Sequence, residues 1–549
     1  MQQSVPTTSA VQATFVATLV DEWCRWGLRD VVVCPGSRST PLALAVSRAA
    51  SLTLHVRIDE RSAAFFALGR ALATQRPVAI VVTSGTAAAE LHAAVAEADL
   101  AHVPLLVLTA DRPPELHGVG APQTIDQNQL FGAKVRLYEE PGVARLEAAA
   151  SWRPLAQRLY CRARGDQGTA GPVHLNAAFV EPLLGEALEL PAPRSEVHDP
   201  TPRSGRDALD LAGRRVLCVV GSGVGAELID AAWACDWVVV GDATARGALA
   251  YADPLCRHDL IWDSLCPDVV VRMGGIPASK FLAQRLASGD VPVLALDAGG
   301  PVADPDAIVT RRVAGGPDPS DGAHRGDAAY VGNWREASDR VERGLRTLDE
   351  GPLDEVRVAR RVVEAANRSQ SALVVGSSMP VRDVEWWTPP RTSPVYANRG
   401  ANGIDGVVST FLGVASGSRA IGLVGDVTML HDVSALVEGT GSPSSAVLVV
   451  SDNRGGGIFS FLAQARELSE SEFERLFATP RELDLVAVAA GFGHHAQRVT
   501  TTAQLDAAIE SALARVGLSV VVAEVPARHE NVARHEQLNA LVGQWWAAP

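Results

Sequence analysis

Two polar positions in the last third of the chain have the residue types of a metal site. Gly425-Asp426 follows an apolar stretch at residues 421–424, and Asn453 precedes a glycine run after the apolar residues 447–450. The interval accommodates one crossover helix around residues 430–438, so both groups would meet at the carboxyl ends of neighbouring strands. A carboxylate, an amide oxygen and a backbone carbonyl suit Mg²⁺. Alternatively, Asp and Asn simply form two strand-to-helix turns.

Glu60 is a candidate for proton chemistry. It follows a predicted strand at residues 54–58 and begins an Ala- and Phe-rich helix. A carboxyl group that faces an apolar cavity has its charged form disfavoured, so we expect a raised pKa and a proton shared with a ligand nitrogen. The alternative is a helix N-terminal acid that the helix dipole favours.

Four arginines are candidates for binding anions. Each lies in a predicted loop after a strand, where ligands are commonly bound, and Arg is the side chain best shaped for bidentate contact with a carboxylate. Ser378 and Gln123 lie in loops of the same kind. The four arginines are Arg38, Arg112, Arg382 and Arg399. Any one of them could instead be a solvated residue or a salt-bridge partner.

The elements that would position these groups alternate between short β-branched strands and Ala/Leu-rich helices. Strands are predicted at residues 31–33, 54–58, 78–82 and 105–108, and again at residues 372–375, 421–424, 447–450 and 520–522. Continuous apolar strands separated by helices predict parallel sheets, so the class is α/β. Stretches rich in Pro, Gly and acidic residues at 186–206 and 314–326 indicate linkers. We therefore predict domains at residues 1–188, 205–345 and 354–549.

Composition excludes several function classes. The 549 residues carry a net charge of -14, are 47% apolar and are only 20% charged. At about 150 residues per domain the length predicts nearly four domains, although three blocks fit the pattern better. The acidic balance argues against nucleic-acid and anionic-membrane partners. Seven cysteines without a paired spacing, no signal peptide and no apolar run of about 18 residues predict a cytoplasmic protein without a membrane span.

The middle block carries a competing pattern. Residues 216–220 form a predicted strand that leads into Gly221-Ser222-Gly223-Val224-Gly225-Ala226, with Asp242 at the next strand end. In form this is a dinucleotide fingerprint, which would suit an NAD-dependent oxidoreductase or a flavin-bearing enzyme. We favour the alternative of a Rossmann-like central domain that binds no nucleotide and keeps its glycines for tight strand–helix packing.

The Gly-Asp and Asn positions with their glycine-rich turn resemble the thiamine-diphosphate-dependent enzymes. The resemblance implies pyrimidine-binding, central and diphosphate-binding domains, with Mg²⁺ or Mn²⁺ held by Asp426, Asn453 and the Gly455 carbonyl. Val427 departs from the glycine usual after Gly-Asp but leaves these positions intact. By the same resemblance, Glu60 contacts the aminopyrimidine of thiamine diphosphate and promotes its imino tautomer.

Finer motifs are similar to one family, the 2-succinyl-5-enolpyruvyl-6-hydroxy-3-cyclohexene-1-carboxylate (SEPHCHC) synthases of menaquinone biosynthesis. They begin at Cys34, Thr83, Thr109, Gly376 and Ala397, in this order. The resemblance implies decarboxylation of 2-oxoglutarate and addition of the succinyl carbanion equivalent to isochorismate. Both substrates are dicarboxylates.

The resemblance also implies two sets of contacts. Those to substrate are Arg38, Arg112, Gln123, Lys280, Ser378, Arg382 and Arg399. Those to cofactor are Glu60, Ser84, Gly85, Gly425, Asp426, Asn453, Gly455, Ile458 and Phe459. Ile458, Phe459 and Leu462 are either apolar wall residues at the reacting carbon or ordinary helix-face core.

The same family implies a homodimer or homotetramer with active sites between subunits. Two alternatives remain at the level of sequence. One is another thiamine-diphosphate 2-oxo acid lyase, such as an acetolactate-synthase-like enzyme. The other is a catalytically silent subunit with the same fold, against which the intact Glu60, Asp426 and Asn453 argue.

Overall fold

The computed structural model describes residues 6–166, 168–193, 207–289, 291–437, 439 and 444–547. Within these residues the chain forms three sheets, and every strand pair in them is parallel. The predicted class of three parallel-sheet α/β domains is confirmed. Residues 194–206 of the first predicted linker lie outside the described residues.

The chain divides into two compact units. The first comprises the described parts of Met1–Pro202, Gly400–Gly417 and Val437–Gly441, and the second comprises those of Arg203–Arg399, Ser418–Leu436 and Ser442–Pro549. By these bounds the first sheet belongs to the first unit and the other two sheets to the second. The three predicted domain ranges stay a prediction. Among the residues described, we find no helix whose length and apolar character would let it span a bilayer.

The first sheet has the strand order β2-β1-β3-β4-β6-β5. Its strands are β1 Asp30–Val33, β2 Thr53–Val56, β3 Val78–Val82, β4 Leu105–Asp111, β5 Tyr138–Glu139 and β6 Val173–Ala178. The accompanying helices are α1 Thr8–Trp26, α2 Thr40–Arg48, α3 Glu60–Thr74, α4 Thr86–Ala89, α5 His92–Leu100 and α6 Ala149–Arg164. Strands β1, β3 and β4 are buried along their whole length, as predicted for a covered parallel sheet. The strand predicted at residues 54–58 is β2, which ends at Val56 and is mostly exposed because it lies at the edge of the sheet.

The middle sheet has the order β11-β10-β9-β7-β8. It contains β7 Val216–Val220, β8 Val238–Gly241, β9 Val269–Met273, β10 Val293–Leu296 and β11 Arg311–Val313, with helices α7 Ala226–Ala234, α8 Ala252–Cys256, α9 Asp259–Leu265, α10 Lys280–Ser288 and α11 Ala328–Arg346.

The linker predicted at 314–326 is wrong in structural terms, since this segment packs on the middle sheet. His324 is buried and stacks on Trp237, and the Trp237 indole N–H donates to the His324 carbonyl at 2.7 Å. The Gly, Asp and Pro residues of segment 314–326 therefore indicate irregular backbone, not a segment that lies apart from the domain.

The third sheet has the order β13-β12-β14-β15-β17-β16, which repeats the order of the first. Its strands are β12 Ala372–Val375, β13 Val395–Tyr396, β14 Ala420–Gly425, β15 Ser445–Asp452, β16 His495–Val499 and β17 Gly517–Glu524. Its part of the chain also forms α12 Glu355–Ser369, α13 Met379–Trp387, α14 Val407–Ala415, α15 Asp426–His431, α16 Gln464–Glu467, α17 Glu470–Phe473, α18 Leu485–Gly491, α19 Thr502–Leu513 and α20 Arg528–Ala547.

The crossover between β14 and β15 differs from its prediction. The helix expected around residues 430–438 begins earlier, because α15 starts at Asp426 directly after the strand, and a 3-10 turn follows at Val433–Val437. Starting the helix at once places the Asp426 carboxylate at its first turn, where the backbone N–H groups and the helix dipole favour negative charge.

Helix α14 packs against α3 within the first unit through glycine positions. A Cβ atom on Gly69 would lie 2.0 Å from the Thr410 carbonyl oxygen, and one on Gly413 would lie 2.2 Å from the Phe66 carbonyl oxygen. The hydroxyls of Ser62 and Ser409 share a hydrogen bond of 2.8 Å. The two backbones therefore approach more closely than any residue with a side chain would allow.

Candidate active site

The polar ends of β14 and β15 lie side by side. The two strands pair in register from Ala420 to Gly425, where Gly425 is opposite Ser451. The backbone N–H of Gly455 donates to Asp426 Oδ2 at 2.7 Å. Asp426 and Asn453 are both buried, and burial raises the pKa of Asp426 to about 7. A buried carboxylate of this kind is costly to ionise without a nearby cation.

The second candidate metal ligand is Asn453, whose side-chain oxygen could bind a cation. Its Nδ2 donates to Glu355 Oε1 at 2.7 Å. Its Oδ1 is buried and has no hydrogen-bond partner in the described part of the chain. Because a buried amide oxygen is normally paired, Asp426 and Asn453 fit a divalent metal that prefers oxygen ligands.

Glu60 is the first residue of α3. Asp59 caps this helix, since its side chain accepts from the Ser62 N–H at 2.9 Å. Glu60 is half-buried, and burial, with the charges of Asp59 and Glu90, raises its pKa above the ordinary value. A helix N-terminus alone would lower the pKa of a carboxyl, so desolvation is the stronger effect here.

The anion-binding candidates of the first unit lie together at the ends of β1, β3 and β4. An Arg112 guanidinium N–H donates to Ser84 Oγ, which in turn donates to the Gln123 carbonyl at 3.0 Å. Arg38 is buried and donates to the Phe179 carbonyl at 3.0 Å. Burial and the charge of Arg38 lower the pKa of Arg112. Arg38 also pairs with the Glu181 carboxylate at 3.3 Å, so this corner contains two arginines and one carboxylate.

The same corner contains a residue that the sequence did not single out. Gly85 follows Ser84, and its N–H donates to Gln127 Oε1 at 2.9 Å. Gln127 is buried and also donates through Nε2 to Asn176 Oδ1 at 2.8 Å. Gln127 thus fixes the turn that carries Ser84 and Gly85, a role that no local pattern around it indicates.

A second pair of arginines lies in the second unit. Arg382 Nη1 donates to the Ser378 carbonyl at 2.6 Å, and burial, together with the charge of Arg399, lowers the pKa of Arg382. Arg399 Nε donates to Asp242 Oδ2 at 2.8 Å. These residues therefore form a second partly buried cationic place at the ends of β8 and β12.

The loop at residues 276–279, directly before Lys280, reaches the same place. An Arg399 Nη2 donates to the Ile276 carbonyl at 3.3 Å, and the Ala278 and Ser279 N–H groups donate to the Glu385 carboxylate at 2.8 and 2.9 Å. Lys280 itself is exposed and begins α10. Glu385 was not predicted, because its contacts come from a loop far away in sequence.

The apolar residues after the glycine run are on a 3-10 turn at Gly457–Phe461. Ile458, Phe459 and Leu462 are all half-buried, and the Phe459 ring meets Phe477 edge to face at 5.7 Å. Each side chain is partly accessible, as a residue that lines an active site must be. Both predictions, active-site wall or ordinary core, therefore stay predictions.

The dinucleotide-like pattern of the middle sheet has a structural use. A Cβ atom on Gly221 would lie 2.0 Å from the Gly275 carbonyl, so the crevice between the ends of β7 and β9 is filled by backbone. Asp242, the acid of the pattern, is fully buried and bound by Arg399. In this chain the glycine serves close packing and the acid holds an arginine.

Comparison with known proteins agrees with this geometry. The family model "Thiamine pyrophosphate enzyme, N-terminal TPP binding domain" matches residues 13–130 and its C-terminal counterpart matches residues 387–523. A SEPHCHC synthase of Myxococcus xanthus is 37% identical over 95% of this chain and 96% of its own length, and one of Rhodococcus erythropolis is 38% identical over 94% and 96%.

The chain belongs to the SEPHCHC synthase family.

As a SEPHCHC synthase family member it is a thiamine-diphosphate-dependent enzyme, and both cofactor-binding domain types are present. A solved benzoylformate decarboxylase of Polynucleobacter necessarius shares the fold, with a TM-score of 0.67 and 18% identity over 93% of this chain and 98% of that one. The identities to the synthases favour that family over the acetolactate-synthase-like alternative. The same identities, together with the intact Glu60, Asp426 and Asn453, favour an active enzyme over the catalytically silent subunit.

Proposed function

We propose that this enzyme decarboxylates 2-oxoglutarate and adds the remaining four-carbon unit to isochorismate, which makes SEPHCHC and CO₂. The observation that carries the proposal is the presence of two groups of buried or half-buried arginines close to strand ends, Arg38 with Arg112 and Arg382 with Arg399. Arginine is well shaped for binding carboxylate groups, and both proposed substrates are dicarboxylates. The names of the relatives support the same reaction.

The proposed reaction balances with one proton. The bond between the carboxylate carbon and the oxo carbon of 2-oxoglutarate breaks, and its carbon leaves as CO₂. A new carbon–carbon bond forms between the former oxo carbon and the isochorismate ring, and one proton is taken up. When bound, thiamine diphosphate supplies the electron sink that this decarboxylation requires.

The roles of the protein groups follow from their chemistry. Asp426, the Asn453 amide oxygen and the Gly455 carbonyl would hold Mg²⁺ or Mn²⁺ and, through it, the diphosphate. Glu60, whose pKa is raised by burial, would share a proton with the aminopyrimidine. Ile458 and Phe459 would exclude water from the reacting carbon.

The remaining groups would bind substrate. In the first unit these are Arg38, Arg112 and Gln123, and in the second they are Lys280, Ser378, Arg382 and Arg399. We propose that each arginine pair takes carboxylate groups, because the guanidinium is the best-shaped side chain for them. Ser84, Gly85 and Gly425 would provide close backbone approach to the cofactor.

We also propose that the enzyme is a homodimer or homotetramer with active sites between subunits. The edge strand β2 exposes Leu54 and Val56 at alternate positions, which therefore share one face, and Ile58, two residues beyond the strand, is exposed as well. Leu54 is 38% exposed, Val56 56% and Ile58 64%. An exposed apolar edge is a hazard in a monomer, so a second copy is the natural cover for it.

We place the reaction in the cytoplasm. All seven cysteines fall in the described part of the chain, and none of them forms a disulfide there. Reduced thiols are the usual state in a reducing compartment.

A substrate panel tests the proposed function. Purified enzyme with thiamine diphosphate and Mg²⁺ is given 2-oxoglutarate, pyruvate or benzoylformate, each with and without isochorismate. We expect CO₂ release to be greatest with 2-oxoglutarate plus isochorismate. Preference for pyruvate would assign the enzyme to the acetolactate-synthase-like alternative, and analytical ultracentrifugation at several concentrations would test the assembly.

A further inference from the structure

Behind the candidate metal site lies a buried acidic residue to which no role has been given. Glu355 is the first residue of α12 and only 5% of it is exposed. Its Oε1 accepts the hydrogen bond from Asn453 Nδ2 at 2.7 Å. Glu355 can therefore affect metal binding without contacting the metal, because it contacts Asn453, one of the two candidate metal ligands.

The contact decides which end of the Asn453 amide faces the site. An amide has an oxygen that can bind a cation and an NH₂ group that cannot, and the two ends have nearly the same shape. With Nδ2 held by Glu355, Oδ1 is turned to the other side, where it is buried and has no partner within the described residues. Releasing Nδ2 would let the amide rotate and present the wrong end to the cation.

Glu355 is itself held firmly. The Asp354 side chain caps α12 by accepting from the Arg357 N–H at 2.7 Å, and it pairs with Arg534 of α20 at 3.0 Å. Val356, Val358 and Val362 of the same helix are buried. A residue on a capped and packed helix can therefore fix a neighbouring side chain precisely.

The wider surroundings are buried and polar as well. Asp383 of α13 is 2% exposed, and its Oδ1 lies 2.9 Å from His535 Nε2 of α20. The other ring nitrogen, His535 Nδ1, accepts from the Trp387 indole N–H at 3.1 Å. Among the described residues, the acceptor that Asn453 Nδ2 reaches is Glu355.

We propose that Glu355 is a positioning residue of the metal site, which keeps Asn453 Oδ1 directed at the divalent cation by accepting the Nδ2 hydrogen bond. This inference rests on the proposed function in one respect only, namely that Asn453 binds the cation. Residues outside the ligand shell that orient a ligand commonly change metal affinity by about 10–100-fold when they are replaced.

Metal affinity of the full-length protein is the primary test. Mg²⁺ and Mn²⁺ are titrated calorimetrically at a fixed saturating concentration of thiamine diphosphate, without either substrate. We expect Glu355→Leu to weaken metal binding by about 10–100-fold. Glu355→Gln should stay within about threefold of the wild type, because its carbonyl accepts the same hydrogen bond. A matched control is Glu364→Leu on the same helix, whose half-buried carboxylate pairs with Arg361 at 3.3 Å and should leave metal affinity unchanged.

A double variant separates orientation from a merely structural role. Asn453→Asp has two equivalent oxygens and needs no orientation, and its carboxylate is repelled by Glu355, so adding Glu355→Leu to it should not weaken metal binding. A structural role would instead weaken binding equally in both backgrounds. Should Glu355→Leu fail to fold, Glu355→Met keeps the length of the side chain and serves in its place.

Three results would overturn the inference: wild-type metal affinity in Glu355→Leu, equal losses in the leucine and glutamine variants, or equal losses with and without Asn453→Asp. The proposed function fails separately. A protein that binds the metal as predicted but releases no CO₂ from 2-oxoglutarate would contradict the function and leave the role of Glu355 intact.

Discussion

Gly69→Ala probes the packing of the helix that begins at Glu60. In the structure a Cβ atom at this position would lie 2.0 Å from the carbonyl oxygen of Thr410 and 2.8 Å from its carbonyl carbon. Both are backbone atoms, so no side-chain rotation relieves the contact, and α3 and α14 must move apart by about 1.4 Å to reach ordinary van der Waals contact at 3.4 Å.

The magnitude follows from two opposing effects. Overpacking costs about 1–3 kcal/mol, and the backbone contact places Gly69→Ala near the upper end. Alanine gains about 1 kcal/mol over glycine inside a helix. We therefore expect a net destabilisation of about 2 kcal/mol, which lowers the Tm of the affected unit by about 4–8 °C at about 2–4 °C per kcal/mol.

Differential scanning calorimetry measures this effect, with Gly332→Ala as the matched control. Gly332 also lies inside a helix, α11, but a Cβ atom there meets nothing within 4 Å. The control should gain about 0.5–1 kcal/mol from helix propensity. If Gly69→Ala is as stable as the wild type or gains like Gly332→Ala, the close approach of α3 and α14 is not present.

Three further predictions concern chemistry and pH. Glu60→Gln should lower turnover by about 10²–10⁴-fold with an unchanged circular dichroism spectrum, and substantial residual turnover would remove Glu60 from its proton role. Arg399→Ala should raise the KM of one dicarboxylate substrate by about 10–100-fold, as expected for a lost charged hydrogen bond, whereas an effect on kcat alone would contradict a binding role. Burial lowers the pKa of His174 from 6.5 to about 3. As the pH falls below 6.5, the His174 imidazole therefore becomes protonated in the unfolded chain but stays neutral in the folded one, and the free energy of unfolding falls by about 1.4 kcal/mol per pH unit. Urea unfolding at pH 7.5 and 5 should show that the free energy of unfolding falls less for His174→Gln than for the wild type. An equal fall in both proteins would refute the lowered pKa of His174.

The strands were the most predictable part of the fold. Residues 78–82, 216–220 and 372–375 were predicted as strands and match β3, β7 and β12. Each is a continuous apolar run, and such a run suits a parallel strand that is buried on both faces. By contrast, the helix expected around residues 430–438 begins at Asp426, since nothing in the apolar pattern shows that a helix starts directly at a strand end.

The candidate site was predictable where chemistry follows a strand in the sequence. Asp426, Asn453 and Arg112 each follow a strand directly, so their place at the strand ends could be inferred from local pattern. Arg382 was predicted in a loop but lies inside α13. Glu355 and Gln127 were missed, because their contacts to Asn453 and Gly85 join segments far apart in the chain. The pairing of Asp242 with Arg399 was missed for the same reason, and the glycine pattern before Asp242 pointed to a nucleotide instead.

The most direct test of the central claim is isochorismate-dependent release of CO₂ from 2-oxoglutarate labelled at C1. The purified enzyme is assayed with thiamine diphosphate and Mg²⁺, and the organic product is identified by mass spectrometry. We predict that labelled CO₂ and a product containing the isochorismate ring plus a four-carbon unit form in equal amounts. No release of CO₂ from the complete mixture, or release without any such adduct, would contradict the account.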